Sequence, residues 1–279
     1  MTTDMDTHMG PETSTLATAV GSIATSQRPT PALGGFSLTF VRLELRRMLR
    51  NRRTVIFTLI MPSMFFLLFG TDSSQQHDSV GRGNVTAYVL ISMAVYGAML
   101  ATTSGGASVS LERAVGWSRQ LRLTPLQPVA YIAVKVVVAM SLGLASVVVV
   151  SVTGSFFGPQ LPLHVWVMSA ALAWICSVVF AAFGLCMGYL LPSENVMQVL
   201  GPALALLSFA GGLFVPLDQM GHTFSTLATI TPVYGVGVVA RYPLTSDGSL
   251  PIAVINVLAW TCVFVVGAAW RFRRDTARV

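Results

Sequence analysis

Three long stretches of this sequence contain no Asp, Glu, Lys or Arg: Asn84 to Leu111, Val136 to Ser193 and Gly248 to Trp270. A helix needs roughly 20 apolar residues to cross the hydrocarbon core of a bilayer, and each stretch is longer than that. Charged residues make up only 10% of the 279-residue chain, whereas soluble domains carry about 25%. The sequence therefore predicts an all-α polytopic membrane protein and excludes a soluble globular enzyme.

The apolar stretches divide into six predicted transmembrane helices. Gly158, Pro159 and Pro162 interrupt a stretch that is too long for one crossing, so we divide it into two spans. The predicted spans cover about residues 54–71, 85–110, 130–156, 164–190, 195–215 and 249–270. Residues 1–35, rich in Thr, Ser, Pro and Gly, are predicted to be a disordered cytoplasmic head before one membrane domain over 36–279.

The basic residues are distributed unequally between the two sides of this topology. Fifteen of the 17 Lys and Arg residues fall on the side of the two termini, and only Arg82 and Arg241 fall on the other side. Because Lys and Arg concentrate in cytoplasmic loops, the distribution predicts that both termini are cytoplasmic.

Residues 36–53 are predicted to form an amphipathic helix ahead of the first span. Its apolar face and a neighbouring basic stripe both follow helical spacing. The apolar face comprises Leu38, Val41, Leu45 and Met48, and the basic stripe comprises Arg42, Arg46, Arg50 and Arg53. Such a helix can lie in the membrane interface, with its apolar face in lipid and its arginines on headgroup phosphates. A basic flank that only sets the topology would explain the arginines as well.

The segment between the fifth and sixth spans, about residues 215–249, is too polar and too rich in Pro and Gly for a simple crossing. It still carries apolar residues, including Phe224, Leu227 and Ile230. We predict short amphipathic helices that dip into the outer leaflet as a re-entrant hairpin, with a backbone that is satisfied internally or buried by protein.

The sequence offers no recognisable catalytic or metal-binding group in the membrane. It has no H-E-x-x-H or G-x-S-x-G motif, and no predicted span carries two carboxylates. The predicted membrane cores contain no Asp, Glu, Lys or Arg, which argues against an intramembrane enzyme and an ion-coupled transporter. The four histidines do not form a metal-ligand set. A phosphate-binding loop is also missing, so we expect the chain to bind no ATP or other cofactor and to draw its energy from elsewhere.

Small residues and prolines within the spans are interpreted as packing features. Gly184, Gly188 and the cluster Ser104 to Ala107 permit close approach of helices. Pro62 and Pro202 free backbone carbonyls that neighbouring helices can satisfy.

The segment after the second span combines charged, aromatic and turn residues. It contains an acidic and basic pair, a Gly-Trp, an Arg-Leu turn and a Thr-Pro. In chain order these residues are Glu112, Arg113, Gly116, Trp117, Arg119, Leu121, Arg122, Thr124 and Pro125, and Lys135 follows. A second ordered set is Leu191 to Asn195 before the fifth span, Gly211 to Leu217 closing it and Thr231 to Tyr234 after it. Both sets resemble the ABC type-2 exporter permeases. The match extends over nearly everything after residue 36 and looks most like the bacterial drug and antibiotic-resistance branch, which includes the daunorubicin exporter permease.

This resemblance implies the permease subunit of an ATP-driven exporter for an amphipathic drug, antibiotic or lipid-like molecule in the bacterial plasma membrane. Two permeases, identical or related, would bind two copies of a cytoplasmic ABC ATPase, and the ATPase would use ATP and Mg. The residues from Glu112 to Pro125 would form the coupling segment that docks on the ATPase. Aromatic, apolar and arginine side chains in this segment also suit a protein interface. A loop that only sets topology would explain the arginines but not an exposed Trp.

The resemblance also places the substrate path at a dimer interface formed by the second and fifth spans. Met and aromatic residues make adaptable apolar surfaces, and ordinary packing is the alternative role for each of them. The candidates are Met93, Tyr96, Met99, Met197, Leu204, Ser208 and Phe209. An exporter of polysaccharide or lipid-linked glycan would favour an aromatic-lined channel, but the spans contain few aromatic residues besides Phe65, Phe66, Trp166, Trp174 and Phe180. A polytopic scaffold or sensor that transports nothing is a third hypothesis.

Overall fold

The computed structural model describes residues 37–71, 78–116 and 128–277. The predicted head and residues 117–127 of the coupling segment lie outside the described residues. The regular secondary structure of the described chain is helical apart from a short hairpin of β1 (Ser79–Val80) and β2 (Gly83–Asn84). Its helices are α1 Leu38–Arg50, α2 Arg52–Gly70, α3 Val85–Ala107, α4 Val109–Ala114, α5 Pro128–Ser155, α6 Leu163–Cys176, α7 Val178–Leu190, α8 Ser193–Ala210, α9 His222–Ala228, α10 Pro232–Thr245 and α11 Leu250–Ala277.

Among the described residues, five helical segments are long and apolar enough to cross a bilayer: Arg52–Gly70, Val85–Ala114, Val129–Ser155, Leu163–Leu190 and Leu250–Arg274. They correspond to the first four predicted spans and the last one. The helices α9 and α10 meet at 93° and count as a sixth crossing only if this bent pair is taken as one span. The prediction of an all-α polytopic membrane protein is confirmed.

The fifth predicted span differs from the structure in length. The helix at this position, α8, ends at Ala210 instead of continuing to residue 215, and its apolar part is Gln198–Ala210. The chain leaves the helix through Gly211 and Gly212, and Gly212 has a φ of 72°. Only glycine adopts that backbone conformation readily, so this glycine pair ends the helix inside the bundle.

The central helix of the bundle is α3. It is apolar all round, and most of its residues are buried beneath α2, α5, α7 and α10. The last helix, α11, has a different environment, because Ile255, Leu258 and Val266 on its outer side are exposed. Such side chains form the surface that a bilayer covers.

Small residues bring α3 and α7 into close contact, as the sequence predicted. A Cβ at Gly184 would overlap the backbone carbonyl of Thr103, and one at Gly106 would overlap the backbone of Ala181 and Leu185. The helices therefore approach at distances that only glycine permits. This spacing of small residues serves packing within one chain.

Pro62 frees one backbone carbonyl in α2, and a neighbouring helix satisfies it. Proline has no N–H, so the carbonyl of Thr58, four residues earlier, loses its helical donor. The hydroxyl of Ser146 on α5 donates to that carbonyl at 2.6 Å. A π-helical turn, Ile56–Ile60, lies at the same place. The predicted compensation by a neighbouring helix is thus confirmed at Pro62.

Contacts between distant segments define two ends of the bundle. At one end, which we call the hairpin end, the side-chain oxygen of Asn84 accepts from the Gln160 N–H at 3.0 Å, and the Arg82 N–H donates to the Leu244 carbonyl at 2.9 Å. The opposite end, which we call the basic end, contains α1 and the last turns of α7 and α11. There the rings of Tyr189 and Phe272 lie 5.8 Å apart.

The helix predicted ahead of the first span is present as α1, and part of its apolar face contacts protein. Val41, Leu45 and Met48 pack against α3 and α5, and Met48 is only 6% exposed. Leu38, in contrast, is exposed. The physical reason is Glu44, which shares the apolar face and would be costly in lipid. The basic stripe is exposed, and it comprises Arg42, Arg46, Arg50 and Arg53.

The predicted short helices between α8 and α11 are confirmed as α9 and α10. Two side chains of α11 bind the bend between them: Asn256 Nδ2 donates to the Thr229 carbonyl at 2.8 Å, and Trp260 Nε1 donates to the Ile230 carbonyl at 2.7 Å. These bonds satisfy carbonyls at the end of α9 that the broken helix cannot use. The backbone of the bend is therefore satisfied by protein, as a re-entrant segment requires.

Candidate functional site

The basic end contains a buried cluster of opposite charges. Lys135 on α5 is 1% exposed, and its Nζ contacts one carboxylate oxygen of Glu44 on α1 and one of Glu112 on α4. Both glutamates are buried as well. The Tyr131 hydroxyl donates to the other oxygen of Glu112. We call Glu44, Glu112, Tyr131 and Lys135, together with Arg47, the charge cluster.

Arg47 closes the charge cluster on its outer side. Its Nη2 lies 3.0 Å from Glu112 Oε1, and its Nη1 lies 3.5 Å from Glu44 Oε2. The side chain of Arg47 is 52% exposed, whereas those of the two glutamates are almost fully buried. The charge cluster therefore contains two carboxylates and two cations, and only one cation reaches the surface.

Helical spacing assembles this cluster from three short pieces of sequence. Tyr131 and Lys135 lie four residues apart on one face of α5, and Glu44 and Arg47 lie three residues apart on α1. Glu112 lies on α4, which continues α3 after a break at Ser108. The cluster thus ties α1 to the end of the second span and the beginning of the third.

Arg113, the residue after Glu112, binds a different helix. Its Nη1 donates to the carbonyls of Gly188 at 3.2 Å and Tyr189 at 3.0 Å, and its guanidinium lies 5.5 Å from the centre of the Tyr189 ring. These carbonyls belong to the last turn of α7, where the helix dipole favours a positive charge. Glu112 and Arg113 therefore attach the end of the second span to three other helices.

The described part of the predicted coupling segment is its first five residues. Glu112 and Arg113 make the internal contacts given above, and Gly116 ends α4 with a φ of 72°. The Gly116 N–H donates to the Arg113 carbonyl at 3.1 Å, which is a typical helix-ending contact. The remaining predicted residues are outside the described residues: Trp117, Arg119, Leu121, Arg122, Thr124 and Pro125.

The flanks of residues 117–127 are joined to each other by the charge cluster. Glu112 lies five residues before that stretch and Lys135 lies eight residues after it, yet their side chains are in direct contact. A force that a bound partner exerts on this stretch would therefore act on α1, α3 and α5 together. Removing one partner of such a buried pair leaves an uncompensated charge, which costs about 3–5 kcal/mol.

The predicted substrate-path residues are mostly buried within this one chain. Five of them are less than 5% exposed: Met93, Tyr96, Met99, Leu204 and Ser208. Phe209 is 47% exposed, and the side chain of Met197 is outside the described residues. The structure connects Tyr96 with Phe209 through Phe214, whose ring lies 5.1 Å from the first and 4.8 Å from the second. It does not bring the six residues whose side chains are described to one open groove.

Sequence reasoning missed the roles of Glu44, Tyr131, Lys135 and Arg241. Lys135 belongs to the ordered motif after the second span and counts toward the predicted topology, but neither pattern predicts its buried contacts with Glu44 and Glu112. Glu44 lies between Val41 and Met48 on an apolar face, which is a signal that the carboxylate has a buried partner. Arg241 falls on the outer side of the predicted topology, within the predicted re-entrant segment, and it is only 6% exposed in the bundle. Lys135 lies within the apolar helical segment Val129–Ser155 and is buried there.

Comparison with known proteins gives two matches. A family model described as ABC-2 type transporter matches residues 37–242. A protein of Bacillus subtilis (strain 168) named "Putative transport permease YvfS" is 26% identical over 202 residues, which cover 70% of this chain and 79% of that protein. The family match includes every residue of the charge cluster.

Proposed function

This chain belongs to the ABC-2 type transporter family, and on that premise we propose that it exports an amphipathic drug, antibiotic or lipid-like molecule from the cytoplasm or the inner leaflet. As a family member it is the permease subunit of an ABC transporter, and its partner is an ABC ATPase subunit. Hydrolysis of MgATP is assigned to that partner, because the chain has no phosphate-binding loop. The proposed assembly contains two permeases and two ATPases.

The charge cluster is the observation that supports coupling between the two subunits. Residues 112–125 are proposed to dock on the ATPase, with Trp117 and Arg122 as the main anchors. Because Glu112 and Lys135 join the flanks of this segment and Glu44 adds α1, a displacement of the segment moves three helices as one body. A loop that only sets topology does not need a buried ionic connection at its base.

The basic end is proposed to face the cytoplasm of a bacterium, with the protein in the plasma membrane. The exposed arginines of α1 and those at the end of α11 support this orientation. The guanidinium of Arg274 lies 4.1 Å from the centre of the Trp270 ring, and a Trp-Arg pair is typical of a membrane interface. Arg42, Arg46, Arg50 and Arg53 would then contact headgroup phosphates.

An aromatic cluster favours one alternative substrate class. Phe65, Phe69, Tyr96, Phe209 and Phe214 form a chain of ring contacts between 4.8 and 6.1 Å that links α2, α3 and the end of α8. Phe69 and Phe209 are about half exposed. Aromatic surfaces stack on sugar rings as well as on drugs, so export of a polysaccharide or lipid-linked glycan is the second candidate. In either case, Phe209 is the most exposed of the six predicted substrate-path residues whose side chains are described.

Association with the ATPase provides the test of this function. Trp117→Ala and Arg122→Ala should weaken co-purification of the tagged ATPase by about thirtyfold or more, as expected for interface hot spots. Cellular efflux of a dye should fall in parallel, while insertion into the membrane stays normal. Ser118→Ala is the matched control and should change neither. Full association and efflux by both anchor variants would leave a scaffold, or a loop that only sets topology, as the better account.

The proposed orientation has its own test. In a variant without native cysteines, a cysteine at Ser118 or Thr276 should react with an impermeant thiol reagent only from the cytoplasm. A cysteine at Ser79 or Ser246 should react only from outside, because these positions belong to the hairpin end or its loops. Labelling from the opposite side at either pair would overturn the orientation.

A further inference from the structure

Arg241 on α10 is a buried cation near the hairpin end. Its side chain is 6% exposed, and its Nη1 donates to the Ser92 hydroxyl at 3.0 Å and to the Gly212 carbonyl at 3.1 Å. The guanidinium carbon lies 4.9 Å from the centre of the Tyr88 ring, within the range of a cation–π contact. Three elements, α3, α10 and the turn after α8, therefore hold this guanidinium in place.

No carboxylate in the described parts of the chain forms an ion pair with Arg241. The Gly212 carbonyl, just past the end of α8, supplies only a partial negative charge. An arginine that is buried at membrane depth normally has a partner, because an uncompensated charge is expensive there. The unmatched positive charge calls for an anion from outside the described chain.

Two nitrogens of Arg241 are available to such an anion. Among the described residues, Nε and Nη2 of Arg241 donate to no protein acceptor. Neither of these two nitrogens is completely enclosed by protein. A Cβ on Gly237 would lie 3.1 Å from Nη2, so the glycine leaves space beside this nitrogen. The Nε and Nη2 edge of a guanidinium matches two oxygens of one oxyanion.

The depth of the site suits the headgroup of an amphiphile. Ser92 lies seven residues along α3 from Val85, or about 10 Å at 1.5 Å per residue. The headgroup region on each side of a bilayer is about 5–8 Å thick. With Val85, the first residue of the predicted second span, at the outer surface of the membrane, Arg241 lies close to the boundary between headgroups and hydrocarbon. A soluble anion would have to leave water to reach it, whereas a lipid-like molecule already presents its phosphate near this depth.

We propose that Arg241, with Tyr88 and Ser92 around it, binds the phosphate of an acidic amphiphile in the outer half of the membrane. The molecule is a phosphodiester or phosphomonoester with an apolar tail, either a resident phospholipid or an exported compound with the same headgroup chemistry. A zwitterionic lipid fits less well, because its ammonium already compensates its phosphate. The site goes beyond the proposed export and does not depend on coupling to an ATPase.

Lipid binding by the purified full chain tests the site. Short-chain phosphatidylglycerol and phosphatidylcholine are titrated separately, and bound lipid is measured by native mass spectrometry. The unchanged protein should prefer phosphatidylglycerol by about tenfold or more. Arg241→Gln should reduce this preference to within about twofold. Arg241→Lys should keep part of the preference, because lysine keeps the positive charge but lacks the two-nitrogen edge of the guanidinium. Arg82→Gln, at an exposed arginine of the same end, should leave the preference unchanged.

Several outcomes would overturn the proposal. They are no preference in the unchanged protein, an unchanged preference in Arg241→Gln, or an equal loss in Arg82→Gln. Gly237→Ala tests the site if Arg241→Gln does not accumulate, since it crowds Nη2 while retaining the cation, and it should also reduce the preference. Glycerol phosphate should not displace bound phosphatidylglycerol at equal concentration, and efficient displacement would show that a free phosphate suffices. Failure of ATPase association in the earlier test would leave these expectations unchanged.

Discussion

Two buried cations at opposite ends of this bundle are compensated in different ways. Lys135 contacts the carboxylates of Glu44 and Glu112, while Arg241 contacts a hydroxyl, a carbonyl and an aromatic ring. A cation between fixed carboxylates has no capacity for a further anion, so it serves to connect helices. A cation among neutral groups keeps most of its charge available, so it can bind a ligand. The difference lies in the partners and not in burial, because both side chains are less than 7% exposed.

Removal of Lys135 should have the largest effect on stability. Lys135→Met would leave Glu44 and Glu112 buried without their shared cation, and we expect a loss of about 3–5 kcal/mol in the free energy of unfolding. Thermal denaturation in detergent, followed by the monodisperse peak in size-exclusion chromatography, measures this loss.

A matched variant separates lost charge balance from lost packing. Combining Lys135→Met with Glu44→Gln and Glu112→Gln removes all three buried charges and should recover most of the stability. If the triple variant is as unstable as Lys135→Met alone, the cluster acts through packing, and the comparison with Arg241 loses its basis.

Removal of Arg241 should cost much less. Arg241→Met leaves the Gly212 carbonyl without this donor, which costs about 1–3 kcal/mol, while the Ser92 hydroxyl keeps its bond to the Tyr88 carbonyl and no carboxylate is orphaned. The same denaturation measurement should therefore place Arg241→Met well above Lys135→Met in melting temperature. A loss as large as that of Lys135→Met would mean that Arg241 is a structural connector and would contradict the contrast drawn between the two cations.

Removal of Arg47 should have the smallest effect. Its side chain is half exposed, and ion pairs at the surface contribute about 0.2–1 kcal/mol. Arg47→Gln should therefore lower the melting temperature only slightly, and raising the salt concentration should reduce the difference from the unchanged protein. A loss comparable to that of Lys135→Met would place Arg47, and not Lys135, at the centre of the charge cluster.

The sequence predicted the features that depend on local composition and spacing. The apolar stretches located five membrane-length helices, and the Pro and Gly content of residues 215–249 indicated the broken helices α9 and α10. The amphipathic pattern of residues 36–53 located α1. The packing of its apolar face against protein could not be predicted from that pattern, because an apolar stripe looks the same whether it faces lipid or a neighbouring helix.

The charge cluster could not be assembled from the sequence because its contacts are not local. Lys135 lies 91 residues from Glu44 and 23 from Glu112, so only the folded bundle brings them together. The burial of Arg241 could not be predicted for a related reason, since it depends on the packing of α10 against α3. Of the predicted coupling residues, only Glu112, Arg113 and Gly116 can be located, and their contacts are internal.

The charge cluster joins the two flanks of residues 117–127, and this connection has a consequence for how the family can diversify. The charge cluster lies outside this stretch, in α1, α4 and α5, while the residues proposed to recognise the ATPase lie largely within it. We therefore expect substitutions in the stretch to leave the charge cluster intact. Under the proposed coupling, such a permease would acquire a different ATPase by exchange of about eleven residues, without a change in its ionic connection.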